Sequence, residues 1–172
     1  MEAIDQLQGE HRVIEKAIPM LERGAATFVG ADQVLEFLQE FLDKCHHGKE
    51  ELYLFPALAE RGVPRQEGLV RELLMEHGVG RRYVKEIAGL LHPATTDENG
   101  DSRRLLDAVV PELAALLREH IAKEDTQLWP LAERALSPED DGALLAGFAE
   151  LQQSLIGERQ YCKYLSWARL WT

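Results

Sequence analysis

The chain has 172 residues, of which 45% are hydrophobic and 28% are charged, and it carries a formal net charge of −11. These proportions are typical of a globular protein with one sizeable core and argue against a disordered chain. The acidic balance argues against nucleic acid or an anionic membrane surface as a partner, because both attract clustered Lys and Arg side chains.

Targeting and membrane signals are absent from the sequence. The N-terminus lacks a basic segment followed by an apolar run, and no stretch approaches the ~20 apolar residues that span a bilayer. We therefore expect a cytoplasmic protein with no membrane partner. Cys45 and Cys162 are too few and too far apart for a disulfide framework or a zinc finger, so we expect free thiols.

Four long segments have the apolar period of amphipathic helices, with steps of three and four residues. Their apolar stripes begin near Ile4, Asp32, Val70 and Leu106. Breaks are expected at 24–30, 61–64 and 93–101, where Gly, Pro, Asp and Asn accumulate. No segment alternates with period two. We therefore predict an all-α fold in which residues 1–136 form an up-down antiparallel four-helix bundle.

The C-terminal segment 137–172 is predicted to be a helical extension packed on the bundle. Ser137 and Pro138 are typical of an N-cap and a first helical position, so a fifth helix should begin there and run to about Ile156. The tail that follows is rich in aromatic residues, which we expect to pack over the bundle. These are Tyr161, Tyr164, Trp167 and Trp171.

Two segments of the chain repeat one motif, H-x-x-K-E-x-x-x-L-(F/W)-P. It begins at His46 in one copy and at His120 in the other, and a Glu-His pair precedes each copy, at 10–11 and at 76–77. The chain therefore consists of two related halves. Residues four apart on a helix lie one above the other, so each copy presents an imidazole and a carboxylate on one face.

Six of these polar side chains fall on helix positions where the apolar period calls for Leu or Ile, so the fold should bury them. Buried carboxylates are found paired with cations or bound to metal, because burying one without a partner costs several kcal/mol. Lys49 and Lys123 lie only one residue from the motif glutamates, a step that points to another helix face. The predicted metal ligands are His11, His46, Glu50, His77, His120 and Glu124.

The ligand types narrow the choice of metal. Imidazole and carboxylate without thiolate suit iron, manganese or zinc, and the number of ligands suits two ions bridged by carboxylates. A zinc-protease site is disfavoured because H-E-x-x-H is absent, and a ferritin-like site is disfavoured because no Glu stands three residues before a histidine.

On these motifs, the chain resembles the hemerythrin-like, HHE cation-binding family over about Ile4 to Leu136. The resemblance implies a four-helix bundle whose core holds two iron ions in an oxo- or hydroxo-bridged centre, with zinc or manganese as possible substitutes. It also implies that Glu50 and Glu124 bridge the ions, and that the four motif histidines, at 11, 46, 77 and 120, are terminal ligands.

The chain departs from the family pattern at one ligand. Oxygen-carrying hemerythrins have a second histidine one turn from the ligand on the third helix, but Leu73 and Arg81 occupy those positions around His77. The alternatives for the missing ligand are His47, Glu15 and, less favoured, Tyr53. His47 could instead be exposed or support another ligand, and Glu15 could instead pair with Arg81.

A second departure concerns the last carboxylate. Oxygen carriers have Asp five residues after the fourth-helix histidine, and Asp125 stands at that position. The internal repeat favours Glu124 instead, because Glu124 aligns with Glu50.

The resemblance leaves three functions open. The centre could bind dioxygen, or a related small diatomic or peroxide ligand, for storage, transport or sensing. It could instead be an enzyme that consumes peroxide or nitric oxide, which needs a proton or electron route; Cys45, Glu15 and Tyr53 are possible members. The third possibility is iron handling or sensing.

Overall fold

The computed structural model describes residues 1–27, 30–96 and 98–170, and nearly all of them are helical. Helix α1 spans Glu2–Thr27. Helix α2 covers residues 31–60: α-helical Ala31–Phe37, π-helical Leu38–His47 and Glu50–Leu54, which are joined by α-helical residues 48–49, and α-helical Phe55–Glu60. Helix α3 spans Gly68–Thr96. Helix α4 covers residues 101–135 as α-helical Asp101–Lys123, π-helical Glu124–Leu128 and α-helical Trp129–Ala135. Helices α5 and α6 span Pro138–Leu155 and Gly157–Leu170.

Helices α1 to α4 pack as the predicted up-down antiparallel bundle. α4 lies along both α3 and α1, and α2 also packs against α1. Helices α5 and α6 lie against the side of the bundle that α1 and α2 form. Among the described helices, none combines the length and apolar character that crossing a membrane requires.

The core of the bundle consists of two apolar clusters with a layer of buried polar side chains between them. Each of the four bundle helices contributes to both clusters, because its apolar stripe continues above and below its polar residues. One cluster includes Leu7, Leu54, Leu73 and Leu128. The other includes Ile14, Leu42, Val84 and Leu117.

The predicted break at 61–64 is present, with Gly62 at a φ of 87° after the end of α2. The break predicted at 93–101 starts later than expected, because α3 continues to Thr96 and keeps His92 helical before α4 begins at Asp101. A proline costs less in a last turn, where the Thr95 and Thr96 hydroxyls donate to the carbonyls of His92 and Pro93. Within the predicted breaks at 24–30 and 93–101, residues 28, 29 and 97 lie outside the described part of the chain.

Helix α5 begins at the predicted cap. Ser137 Oγ accepts from the Asp140 N–H at 3.2 Å, and Asp140 Oδ2 accepts from the Ser137 N–H at 2.7 Å, which forms a capping box. Asp141 then accepts from the N–H groups of Glu2 and Ala3, so α5 caps the start of α1.

The aromatic tail lies against α2. Tyr161 and Tyr164 are buried, with ring centroids 5.7 and 5.5 Å from the ring of Phe41. Trp167 stacks near Phe37, and Trp171 lies outside the described residues.

Candidate metal centre

The π-helical segments contain or adjoin the buried polar residues that α2 and α4 contribute to the core. His46, His47 and Glu50 lie in those of α2, and Glu124 begins that of α4. In an α-helix, a step of four residues overshoots a full turn by about 40°. The wider turns of a π-helix reduce that drift. A series with steps of four, such as His46, Glu50 and Leu54, can therefore stay on one face.

Two groups of buried ligand atoms meet in the polar layer. In each group the ligand atoms lie within 4.8 Å of one another, and Glu50 belongs to both. Buried His and Glu atoms that converge in this way could bind a metal ion directly. We call them the two-histidine cluster, with His11, His46, Glu50 and Glu124, and the three-histidine cluster, with His47, Glu50, His77 and His120.

Glu50 and Glu124 each connect two histidines. Glu50 lies with Oε1 3.5 Å from His46 Nε2 and Oε2 3.3 Å from His77 Nε2. Glu124 lies with Oε2 3.0 Å from His11 Nε2 and Oε1 3.2 Å from His120 Nε2. Both glutamates are fully buried, and no hydrogen bond reaches any of their four carboxylate oxygens. Buried carboxylates of this kind require cations close by.

His47 belongs to the three-histidine cluster although it does not align with the repeat. Its ring is buried and stacks on His77, with centroids 3.7 Å apart and 13° between the planes. Neither of its nitrogens makes a hydrogen bond, and Asp43 Oδ1 lies 3.6 Å from Nδ1. Of the alternatives for the missing ligand, His47 is the one that the structure brings into a cluster.

The other four histidines of the clusters each use Nδ1 to contact a carboxylate on another helix. A carboxylate accepts only, so Nδ1 carries the proton and Nε2, which faces the clusters, has the lone pair that a metal would take. The pairs are His11 with Asp125 at 2.9 Å, His46 with Glu10 at 2.9 Å, His77 with Glu51 at 2.8 Å, and His120 with Glu76 at 2.8 Å.

Lys49 and Lys123 do lie away from the motif glutamates, but they have definite partners. The Lys49 ammonium donates to Glu10, and the Lys123 ammonium donates to Glu76. Each half of the chain therefore contains the same His–Glu–Lys unit, in which the histidine belongs to a cluster and the Glu and Lys lie behind it. Lys49 is fully buried, whereas the Lys123 side chain is 23% exposed.

The electrostatics of the layer favour bound cations. Burial alone would lower the pKa of His11, but its hydrogen bond to Asp125 and the charge of the nearby Glu124 carboxylate raise that pKa to about 9. Burial also opposes charge on His120, yet the charge of Glu124 and the hydrogen bond to Glu76 raise the pKa of His120 to about 10. Protons and metal ions compete for these same nitrogens.

Three other predicted participants lie outside the clusters. Glu15 is exposed on α1, and Arg81, its expected partner, binds Asp43 and Glu51 instead. Residues four apart on an α-helix differ in direction by about 40°. This rotation places Glu15 at the exposed edge of the helix face that His11 occupies. The structure therefore does not bring Glu15 into either cluster.

Tyr53 and Cys45 are also removed from the clusters. The ring of Tyr53 packs against Phe148 of α5, with centroids 6.2 Å apart. Cys45 is buried, and this burial raises the pKa of its thiol to about 12, so it stays protonated at neutral pH.

A small cavity adjoins the three-histidine cluster. It has a volume of about 180 Å³, and apolar side chains of α2 and α3 form most of its wall, with His47 at one side. Arg81 also lines it and is held by Asp43 and Glu51. This cavity offers a small molecule a space next to the centre.

The sequence comparisons agree with this geometry. The family model of the hemerythrin HHE cation binding domain matches residues 2–132, which contain every member of both clusters. The chain belongs to the hemerythrin HHE family. Membership and the two clusters together support the binding of metal ions by this protein.

Two groups of relatives are similar to this HHE-family chain. A BRUTUS-like zinc finger protein from Arabidopsis thaliana is 26% identical over 160 residues, covering 85% of this chain and 13% of the relative. Uncharacterized proteins from Mycobacterium bovis and Mycobacterium tuberculosis are 23% identical over 167 residues, covering 91% of this chain and 63% of each relative. The chain thus spans less than two thirds of these curated relatives. No solved structure gives a significant match.

Sequence reasoning missed the groups that support the histidines of this HHE-family site. Glu10 and Glu76 were recognised only as parts of the Glu-His pairs, and the roles of Glu51 and Asp125 were not predicted. The repeat contained a signal, because both lysines and both upstream glutamates occupy equivalent positions in the two halves.

Proposed function

We propose that this protein holds two iron ions in the core of its bundle and binds dioxygen, or a related small ligand, at that centre. The observation that carries the proposal is the position of Glu50 and Glu124. Both are fully buried, all four of their oxygens lack hydrogen bonds, and each lies between histidines of the two clusters.

The donor set fits iron. Imidazole and carboxylate groups suit iron, zinc and manganese, and thiolate, which would favour other metals, is absent from both clusters. His11 and His46 would hold one ion, and His47, His77 and His120 the other. Glu50 and Glu124 would bridge the two ions.

The unequal number of histidines supports binding of an external ligand. If Glu50 and Glu124 are shared by both ions, the ion of the two-histidine cluster would have one protein ligand fewer than its neighbour, which leaves room for a small molecule there. Ferrous iron supplies the electrons that reversible binding of dioxygen requires.

The surroundings of the centre favour a binding protein over an enzyme. Apolar clusters lie on both sides of the polar layer and exclude water from it. Trp129 packs on His11, with ring centroids 5.3 Å apart. None of the three groups considered for an enzymatic proton route lies in a cluster. Cys45 is buried and stays protonated, and Glu15 is exposed. The ring of Tyr53 packs against Phe148.

Anaerobic reduction of the iron-loaded protein, followed by exposure to air, tests the proposal. We expect a visible charge-transfer band that disappears under argon and returns in air. Immediate irreversible conversion to the oxidised form would contradict reversible binding and favour the enzyme. Metal analysis of the same sample should give two iron ions per chain, and a single tightly held ion would contradict the bridged centre.

A further inference from the structure

The C-terminal helices α5 and α6 follow the segment that matches the family, yet they reach the metal centre. The Tyr161 hydroxyl on α6 donates to Glu10 Oε1 at 2.6 Å. The other oxygen of Glu10 accepts from His46 Nδ1 at 2.9 Å. Glu10 is fully buried, so these contacts are shielded from water. A short hydrogen-bonded path therefore joins the C-terminal segment to a residue of the two-histidine cluster.

The other half of the chain has no such path within the described residues. Glu76 occupies the place of Glu10, with His120 and Lys123 as its partners. Its side chain is 21% exposed, and the hydrogen bonds recorded for its carboxylate come only from those two residues. The two His–Glu–Lys units are thus equivalent in sequence but different in environment.

Two further contacts from the C-terminal segment surround the buried unit. The Lys49 ammonium lies 4.7 Å from the centroid of the Tyr161 ring and 3.5 Å from Gln152 Oε1. Gln152 in turn donates to Glu158 at 2.9 Å. The Tyr161 phenol is held in its protonated, donating form, because burial and the charge of Glu10 raise its pKa far above the ordinary value.

We propose that Tyr161 is a positioning residue of the metal centre. Its hydroxyl fixes the Glu10 carboxylate, the carboxylate fixes the ring of His46, and the C-terminal segment thereby sets the affinity of the ion held by His11 and His46. The ion held by His47, His77 and His120 is independent of it. The inference rests on the proposed function to the extent that a metal ion binds at His46.

Cobalt(II) titration of the metal-free protein tests the role of Tyr161, with the visible absorption of cobalt as the measured signal. Residues that orient a ligand histidine typically change metal affinity by about 10–100-fold when they are replaced. We therefore expect Tyr161→Phe to weaken one of two cobalt sites by at least about tenfold, and to leave the other unchanged.

Tyr164→Phe is the matched control. It lies one turn later on α6, is also buried, and its hydroxyl is 3.4 Å from Glu36 Oε1, away from the clusters. This variant should leave both cobalt sites unchanged. A wild-type chain that binds no cobalt would overturn the proposed function. A wild-type chain with two sites that Tyr161→Phe leaves unaltered, or weakens equally, would overturn only the role of Tyr161.

NMR of the zinc-loaded protein provides a readout that a purely structural role would not change. Fluorinated tyrosine at position 161 keeps the ring and the hydroxyl but makes the hydroxyl a stronger donor. The Nδ1–H resonance of His46 should then shift in the direction opposite to its shift in Tyr161→Phe, and that of His120 should stay in place. An unchanged His46 resonance in the fluorinated protein would contradict the inference even if Tyr161→Phe folded poorly.

Discussion

His47 lies flat against His77, with ring centroids 3.7 Å apart and 13° between the planes. The two rings come from α2 and α3 and belong to the same group of converging ligand atoms. His47 thus adds a third imidazole to the group that contains His77 and His120.

His47→Ala should therefore weaken the binding of one metal ion and leave the binding of the other unchanged. Loss of a ligand should reduce the affinity of the three-histidine cluster for its ion by more than the about 10–100-fold typical of a supporting residue. Cobalt or zinc titration measures the two affinities separately. His92→Ala is the matched control, because His92 is exposed on α3 and belongs to neither cluster. Two unaltered sites in His47→Ala would show that His47 is not a ligand.

Glu50→Ala and Glu124→Ala should each abolish tight binding of both ions. Each glutamate lies between histidines of the two clusters, so its removal takes a ligand from both. Metal analysis after dialysis gives the number of ions per chain. Glu15→Ala should keep the wild-type number, since Glu15 is exposed. Loss of only one ion in both glutamate variants would contradict a bridging role.

Lys49→Met and Lys123→Met should have very different effects on folding stability, although the two lysines are equivalent in the repeat. Removing one partner of a buried charge pair costs about 3–5 kcal/mol, whereas a solvent-accessible pair contributes about 1 kcal/mol or less. Lys49 and Glu10 are fully buried, while Lys123 and Glu76 are 23% and 21% exposed. Urea denaturation of the metal-free variants measures the difference, and equal losses would contradict the burial argument.

The metal-free protein should lose stability as the pH rises through about 9 and 10. The pKa values of His11 and His120 are raised to about 9 and about 10 from an ordinary value of 6.5. Stabilisation by a raised histidine pKa is complete below the unfolded value and is lost as the pH passes the folded value.

Metal removes this dependence and adds stability of its own. Bound ions replace the protons on these histidines and stabilise the native state by mass action. Thermal unfolding from pH 6.5 to 10 should therefore show a holo–apo difference in Tm that grows with pH. An apo form that melts at the holo temperature throughout would indicate that salt bridges alone satisfy the core.

Gly147→Ala should destabilise the packing of α5 on the bundle. A Cβ at this position would lie 2.3 Å from two ring carbons of Tyr53, so the Tyr53 ring or one of the helices must shift. Gly142→Ala on the same helix meets nothing within 4 Å and should be stabilising by up to about 1 kcal/mol through helix propensity. Urea denaturation compares the two variants, and a stabilised Gly147→Ala would indicate that α5 does not pack closely there.

The sequence by itself determined the features that depend on spacing within one helix. Steps of three and four residues predicted the bundle helices, and the repeat put His46 with Glu50 and His120 with Glu124, because residues four apart share a helix face. The cap at Ser137 was equally local, since its partner Asp140 is three residues away.

Only the tertiary structure decided which side chains meet across helices. His46 and Glu10 are 36 residues apart, His11 and Asp125 are 114 apart, and Tyr161 and Glu10 are 151 apart. Spacing along the chain does not specify such pairs, because they depend on how helices pack and rotate against one another. The place of His47 was also decided at this level. The wider π-helical turns in α2 change which of its residues face the core. The exposure of Glu15 on α1 likewise depends on how the helices pack.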